Sequence, residues 1–272
     1  MAAAGGINIL GKDQLLAYLM KCGIRDFATY SDGALLNPVM FPVGAVETDG
    51  AVLFADLPGF SRLATDLSPV ECTCYASHFF AWCEGEGGRR YGGIVDKFIG
   101  DEVMMVFPRN KCEIDPLEAA LRTASAMLAH DPYAFEPKIG IAAGPFAIAL
   151  VGTHTTRAIS AVGHTVNLAA RCVQAAREPK TIKVATDDLE LIARVFQDQV
   201  NDWEVSGPSK FEPRNMALAQ VVHIRRKPMW TPNFDFLAGI REIVAQARKN
   251  GSVLNDSGGS VVNDTRGKNS IT

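Results

Sequence analysis

An α+β fold, a sandwich of one mixed sheet covered by helices, is what this sequence predicts, and three observations predict it. Helical and strand patterns alternate through the middle of the chain, and strand pairs joined by tight glycine turns sit among the longer crossovers. Apolar residues make up 47% of the 272, enough to fill one substantial core. Net charge is −3 and Lys and Arg form no long run, which disfavours nucleic acid and anionic membrane surfaces as partners and leaves a small molecule. No apolar run approaches the roughly 20 residues of a spanning helix, and Met1 to Leu10 lacks a signal-like core, so a cytoplasmic protein is expected. Six cysteines without CxxC spacing are then reduced thiols.

The elements follow in order. Lys12 to Cys22 sets Leu15, Leu16, Leu19 and Met20 at helical spacing, and Ser31 to Pro42 is rich in Gly, Pro and Asn. Residues 1–41 are therefore a helix and connector, and 42–227 the main domain. Ala51 to Ala55 is a short buried strand. Ser61 to Glu84 is helical on either side of Ser68-Pro69, an N-cap followed by a proline suited to a first helical position. Ile94 to Lys97 and Glu102 to Phe107 are strands, with Gly100-Asp101 at the hairpin tip. Pro116 to His130 is a helix, and Lys138 to Ala143 with Phe146 to Val151 reads as a strand pair about Gly144-Pro145. Thr165 to Ala176 is a helix, Ile182 to Ala185 a strand, Asp187 to Phe196 a helix and Ala217 to Arg225 a last strand. No element is assigned to Trp203 to Met216, within which Gly207 to Pro213 reads as a loop. Residues 228–249 carry a C-terminal helix from Phe234, and 250–272 are a Gly/Ser/Asn-rich tail too polar to bury anything.

Three segments carry chemistry. Val52 to Ser61 brings Asp56 out of an apolar stretch into a turn, and Asp96 to Asp101 does the same for Asp101, so each carboxylate can meet solvent from a strand end. A turn aspartate alone is commonly a cap, but two in matched settings suggest a metal pair. In Val162 to Arg171, Asn167 and Arg171 stand four apart on one helix face, where an amide and a guanidinium can meet one ligand. The turn after Asp56 opens a helix whose free N–H groups can hold phosphate, through Gly59, Phe60 and Ser61, since Pro58 has no N–H to give. Cys72-x-Cys74 with His78 does not share a helix face, and Gly85 to Gly93 lacks the Gly-Lys-Ser/Thr ending of a phosphate loop, so neither is a site.

In order and spacing, these three segments resemble the class III nucleotidyl cyclases, over roughly residues 47–225. The resemblance implies a class III cyclase-like sandwich with a mixed, mostly antiparallel sheet. It implies a reaction in which a ribose 3′-hydroxyl displaces pyrophosphate from a nucleoside triphosphate, with two divalent ions, Mn²⁺ or Mg²⁺, held by Asp56, Asp101 and the Leu57 carbonyl. Asn167 would orient the ribose, Arg171 would stabilise the transition state, Lys97 and Ser160 would read the base, and Lys210, or failing it Arg214, would meet the terminal phosphate. Pro58 departs from the common pattern. The family's sites lie at a head-to-tail homodimer interface.

Lys97 is a donor and Ser160 donates or accepts, so guanine is disfavoured while adenine, uracil and cytosine all satisfy the pair. The compact layout, the altered Asp56 to Gly59 turn and the atypical Trp203 to Met216 stretch resemble the pyrimidine cyclases of bacterial antiphage signalling. Those would make cUMP from UTP, or less readily cCMP from CTP, as an antiviral messenger acting on a separate effector. Phe41, Phe98 or Phe60 would supply bulk against the smaller ring. The alternatives are a stand-alone adenylate cyclase and a degenerate module that binds nucleotide without turnover.

Overall fold

The computed structural model describes residues 12–23, 45–88, 90–152, 157–227 and 236–252. Chain order gives α1 (Lys12–Lys21), β1 (Ala45–Asp56), α2 (Phe60–Leu63), α3 (Pro69–Gly88), β2 (Ile94–Ile99), β3 (Glu102–Pro108) and α4 (Pro116–Ala129). There follow β4 (Lys138–Gly152), β5 (Arg157–Val162), α5 (His164–Ala175), β6 (Thr181–Ala185), α6 (Leu189–Phe196), β7 (Trp203–Phe211), β8 (Ala219–Arg226) and α7 (Phe236–Lys249). The strands form one sheet in the order β2-β3-β1-β4-β6-β8-β7, with β5 pairing β4 off this path. Among the described strands only β4 and β6 run parallel, so the sheet is mixed and mostly antiparallel, as an α+β class III cyclase fold requires.

Alternation along β1 divides the core between the two faces of the sheet. Ala51, Leu53 and Ala55 turn to a layer that includes Phe79, Leu121, Met127, Ile192 and Phe196 from α3, α4 and α6. Val52 and Phe54 turn to the other layer, where Leu15, Tyr18 and Leu19 of α1 pack with Ala169 and Val173 of α5. Gly140 on β4 lies directly under α5, and a Cβ there would collide with the backbone of Val173 and Ala169. The missing side chain is what lets the helix sit this close to the strand. Ser68 and Glu71 bond reciprocally at the start of α3, Ser68 N–H donating to Glu71 Oε2 at 2.7 Å and Glu71 N–H to Ser68 Oγ at 3.4 Å. The Asp115 carboxylate likewise accepts from Leu117 N–H at 2.9 Å and opens α4.

Two expectations need correction. Gly144-Pro145 does not turn a hairpin: β4 runs unbroken from Lys138 to Gly152 and pairs β1 from Lys138 through Ala149. On its other edge β6 pairs only through Ala142 and β5 only from Ala147, so Pro145 falls where no neighbour asks for its missing N–H. The stretch from Trp203 is the edge strand β7, exposed along most of its length and broken in register between Ser206 and Ser209. An edge strand open on both faces has no inside and outside to alternate between, so its sequence carries no strand period.

Candidate active site

Two groups of the expected residues are brought together. At the first, β1 pairs β3 so that Asp56 stands opposite Glu102, and the next residue back, Asp101, occupies the hairpin turn with Gly100 at φ 64°. Leu57 is buried, and its N–H donates to the Asp101 carbonyl at 3.3 Å, which ties the two turns together. Burial raises the Asp101 carboxyl above its ordinary range, and the Asp56 charge adds to the rise. Burial raises Glu102 as well, followed by the charges of Asp56 and Asp101. Asp101 and Glu102 therefore both feel the Asp56 charge across the turn.

Lys138 was not foreseen. It pairs Asp56 across β1 and β4 and lays its Nζ 2.5 Å from Asp56 Oδ2. Sequence could have offered it only as a strand-start lysine. The residues fit hard divalent cations: two opposed carboxylates and a backbone carbonyl, all oxygen. Among the described residues no three acidic, histidine or cysteine side chains form a ready cluster. The Leu57 carbonyl itself accepts from Phe60 N–H at 3.4 Å. That bond engages one of the three N–H groups of the expected phosphate cradle, Gly59, Phe60 and Ser61.

At the second group, Lys97 Nζ donates to Ser160 Oγ at 2.5 Å. The two lie far apart in sequence, and among the described strands β5 pairs only β4, yet it crosses to meet β2 at the sheet's edge. Asp96 lies beneath them, its side chain fully buried, and takes the Ser160 hydroxyl at 2.9 Å on Oδ2. Burial raises the Asp96 carboxyl, while Lys97 pulls it down. Sequence reasoning passed over Asp96 as a link in a motif.

Asn167 and Arg171 are exposed on α5, which starts two residues after β5, with Arg171 Nη1 donating to Gln174 Oε1 at 2.7 Å. Among the described residues, no hydrogen bond or ion pair joins them, or the Lys97 group, to Asp56 or Asp101. Lys210 is not brought to either group. It pairs Gln220 within β7 rather than lying in a loop, and its neighbour Phe211 turns under Lys183, whose Nζ is 4.0 Å from the ring centroid. Lys183 shares a register row with Gly140 and so lies on the α5 side, which sends Lys210 to the opposite face. Phe98 stacks on Phe80 at 4.2 Å and Phe60 on Tyr75 at 6.1 Å, both half-buried against the α3 layer. Phe41 lies outside the described residues.

Residues 46–217 match the family model described as the adenylate and guanylate cyclase catalytic domain. An uncharacterized protein of Mycobacterium tuberculosis is 33% identical over 138 residues, which are 50% of this chain and 24% of that protein. The chain thus spans about a quarter of the length of the curated relatives it matches. Among solved structures, the adenylyl cyclase CyaB from P. aeruginosa superposes with a TM-score of 0.56 at 21% identity, over 68% of this chain and 97% of that one. The guanylate cyclase domain of RhGC from Catenaria anguillulae, in complex with GTP, gives 0.55 at 17%, over 67% and 100%. At these identities the likeness is one of fold.

Proposed function

The chain belongs to the adenylate and guanylate cyclase catalytic-domain family, and we propose that it is a metal-dependent nucleotidyl cyclase, converting a nucleoside triphosphate to a 3′,5′-cyclic nucleotide and pyrophosphate. The observation that carries this proposal is the β1–β3 register that sets Asp56 beside Asp101, in a body that also holds Lys97 against Ser160. Asp56, Asp101 and the Leu57 carbonyl would hold two Mg²⁺ or Mn²⁺ ions, which when bound would acidify the 3′-hydroxyl and neutralise the triphosphate. Gly59, Phe60 and Ser61 line the turn beside the β- and γ-phosphates. Asn167 fixes the ribose, and Arg171 meets charge developing on the α-phosphate. As the family resemblance implies, a second copy placed head to tail would complete each site, and the exposure of Asn167 and Arg171 on α5 is consistent with that role.

For the base we favour UTP, with CTP behind it, on the altered Asp56 to Gly59 turn and the unusual β7. The product, cUMP, would then serve as an antiviral messenger read by a separate effector. ATP is the second reading, since the Lys97 and Ser160 pair complements adenine N1 and its amine as well as it does a pyrimidine edge. A competition assay with equal ATP, GTP, CTP and UTP and Mn²⁺, read by product mass, decides: mostly cUMP or cCMP supports the first, mostly cAMP the second. Absence of pyrophosphate release from every triphosphate would return the chain to a nucleotide-binding module. In the same assay Asp101→Ala is expected to lose turnover with its melting temperature kept, and retained activity removes Asp101 from the mechanism.

A further inference from the structure

We propose that Asp96 is a positioning residue that sets the hydrogen-bonding polarity of the base-reading pair, making Ser160 an acceptor beside the Lys97 donor. This rests on Lys97 and Ser160 reading the base. The Ser160 hydroxyl has one proton and two lone pairs. Lys97 Nζ, 2.5 Å away, has only protons to give, so it occupies one lone pair. The hydroxyl proton is left with two inward acceptors, Asp96 Oδ2 at 2.9 Å and the Ala161 carbonyl at 3.2 Å. The carboxylate is both nearer and charged, and charge-assisted bonds are the stronger kind. What Ser160 still offers outward is one lone pair.

The backbone explains how two consecutive residues reach the same hydroxyl. β2 and β3 keep register except between Val95 and Lys97, where Asp96 has no partner on β3. Such a bulge re-aims side chains that would otherwise point to opposite faces. Here it brings Asp96 Oδ2 within 3.5 Å of Lys97 Nζ and under Ser160, where the Ala161 N–H adds a further bond at 3.4 Å. Oδ1 of the same carboxylate is buried with no hydrogen-bond partner among the described residues, an unfavourable arrangement for a group whose only role were to stabilise the fold. Substrate must therefore present an acceptor to Lys97 and a donor to Ser160. Adenine does so with N1 and its N6 amine, cytosine with N3 and its N4 amine, and uracil with O4 and N3–H. The exocyclic group faces Ser160 in the amino bases and Lys97 in uracil.

The test is a double-mutant cycle on KM and on product ratios in the four-nucleotide competition, using Asp96→Asn, Ser160→Ala and the pair, with melting temperatures alongside. An amide at position 96 can donate to Ser160 Oγ and free its hydroxyl to donate outward. Asp96→Asn is expected to raise KM for the preferred triphosphate by about tenfold, with kcat changed much less, and to have no further effect once Ser160 is alanine. Ser160→Thr, which keeps the hydroxyl, should retain the wild-type ratio. Additive effects of the two mutations, or a lowered melting temperature with KM unchanged, would overturn the role of Asp96 alone. Product ratios unmoved by Ser160→Ala and Lys97→Ala would overturn the base-reading assignment beneath it. Should Asp96→Asn not fold, the wild-type protein still answers through N6,N6-dimethyl-ATP and N3-methyl-UTP, each lacking the edge donor: turnover of the one built on the preferred base, with KM unchanged, contradicts an acceptor at Ser160.

Discussion

With Lys138 held 2.5 Å from its carboxylate, Asp56 meets an incoming cation already engaged. Both partners are largely shielded, their side chains 22% and 15% exposed, so the pair is less screened than a surface one. A divalent ion held at Asp56 as proposed would have to displace or share that ammonium, which would make Lys138 a competitor for the metal. Lys138→Met is expected to tighten Mn²⁺ binding by about tenfold, equivalent to about 1.4 kcal/mol, and to lower the melting temperature of the metal-free protein, whose Asp56 loses its counter-ion. Calorimetric titration of the purified variant checks it. Equal or weaker Mn²⁺ affinity would mean that Lys138 supports the metal-bound state instead.

The elements matter through how closely they approach. α5 carries Asn167 and Arg171, and its position is set by contact with β4 at Gly140, where there is no room for a side chain. Gly140→Ala must push α5 outward or bend β4, a backbone adjustment of the kind that costs roughly 1–3 kcal/mol. The expected result is a lower denaturant midpoint with an unchanged m-value, together with reduced turnover as the α5 residues leave their places. An unchanged midpoint would show that the helix has slack at this crossing. The bulge at Asp96 is the other element-level device, since it turns one strand position into a pair of side chains on one face.

At the scale of the whole molecule, the proposed function gives each copy a carboxylate group and a separate base and ribose group. If two copies complete each other's sites, a mixture of two dead variants must regain function. Equal amounts of Asp101→Ala and Arg171→Ala, allowed to exchange, give mixed dimers in which one site carries both lesions and the other none. Random pairing then restores roughly a quarter of wild-type activity. Turnover that stays at the level of the separate variants would place a complete site within one chain.

The succession of helices and strands was legible because buried faces impose periods: Leu15 and Leu19 on α1, the apolar run of β1, and the Gly100 hairpin all declare themselves locally. The candidate carboxylates and the α5 pair were legible for a similar reason, as polar residues placed where apolar patterns end. What the sequence could not show was anything decided by partners distant along the chain. Lys138 reaches Asp56, and Asp96 reaches Ser160, only because strands far apart in sequence pair or cross, and Pro145 continues a strand only because neighbouring strands leave its edge free. β7 stayed hidden because an exposed edge has no buried face to write a period, and Lys210 was misplaced with it. Local burial wrote the order of elements into the sequence, while strand register, a non-local property, chose which side chains meet.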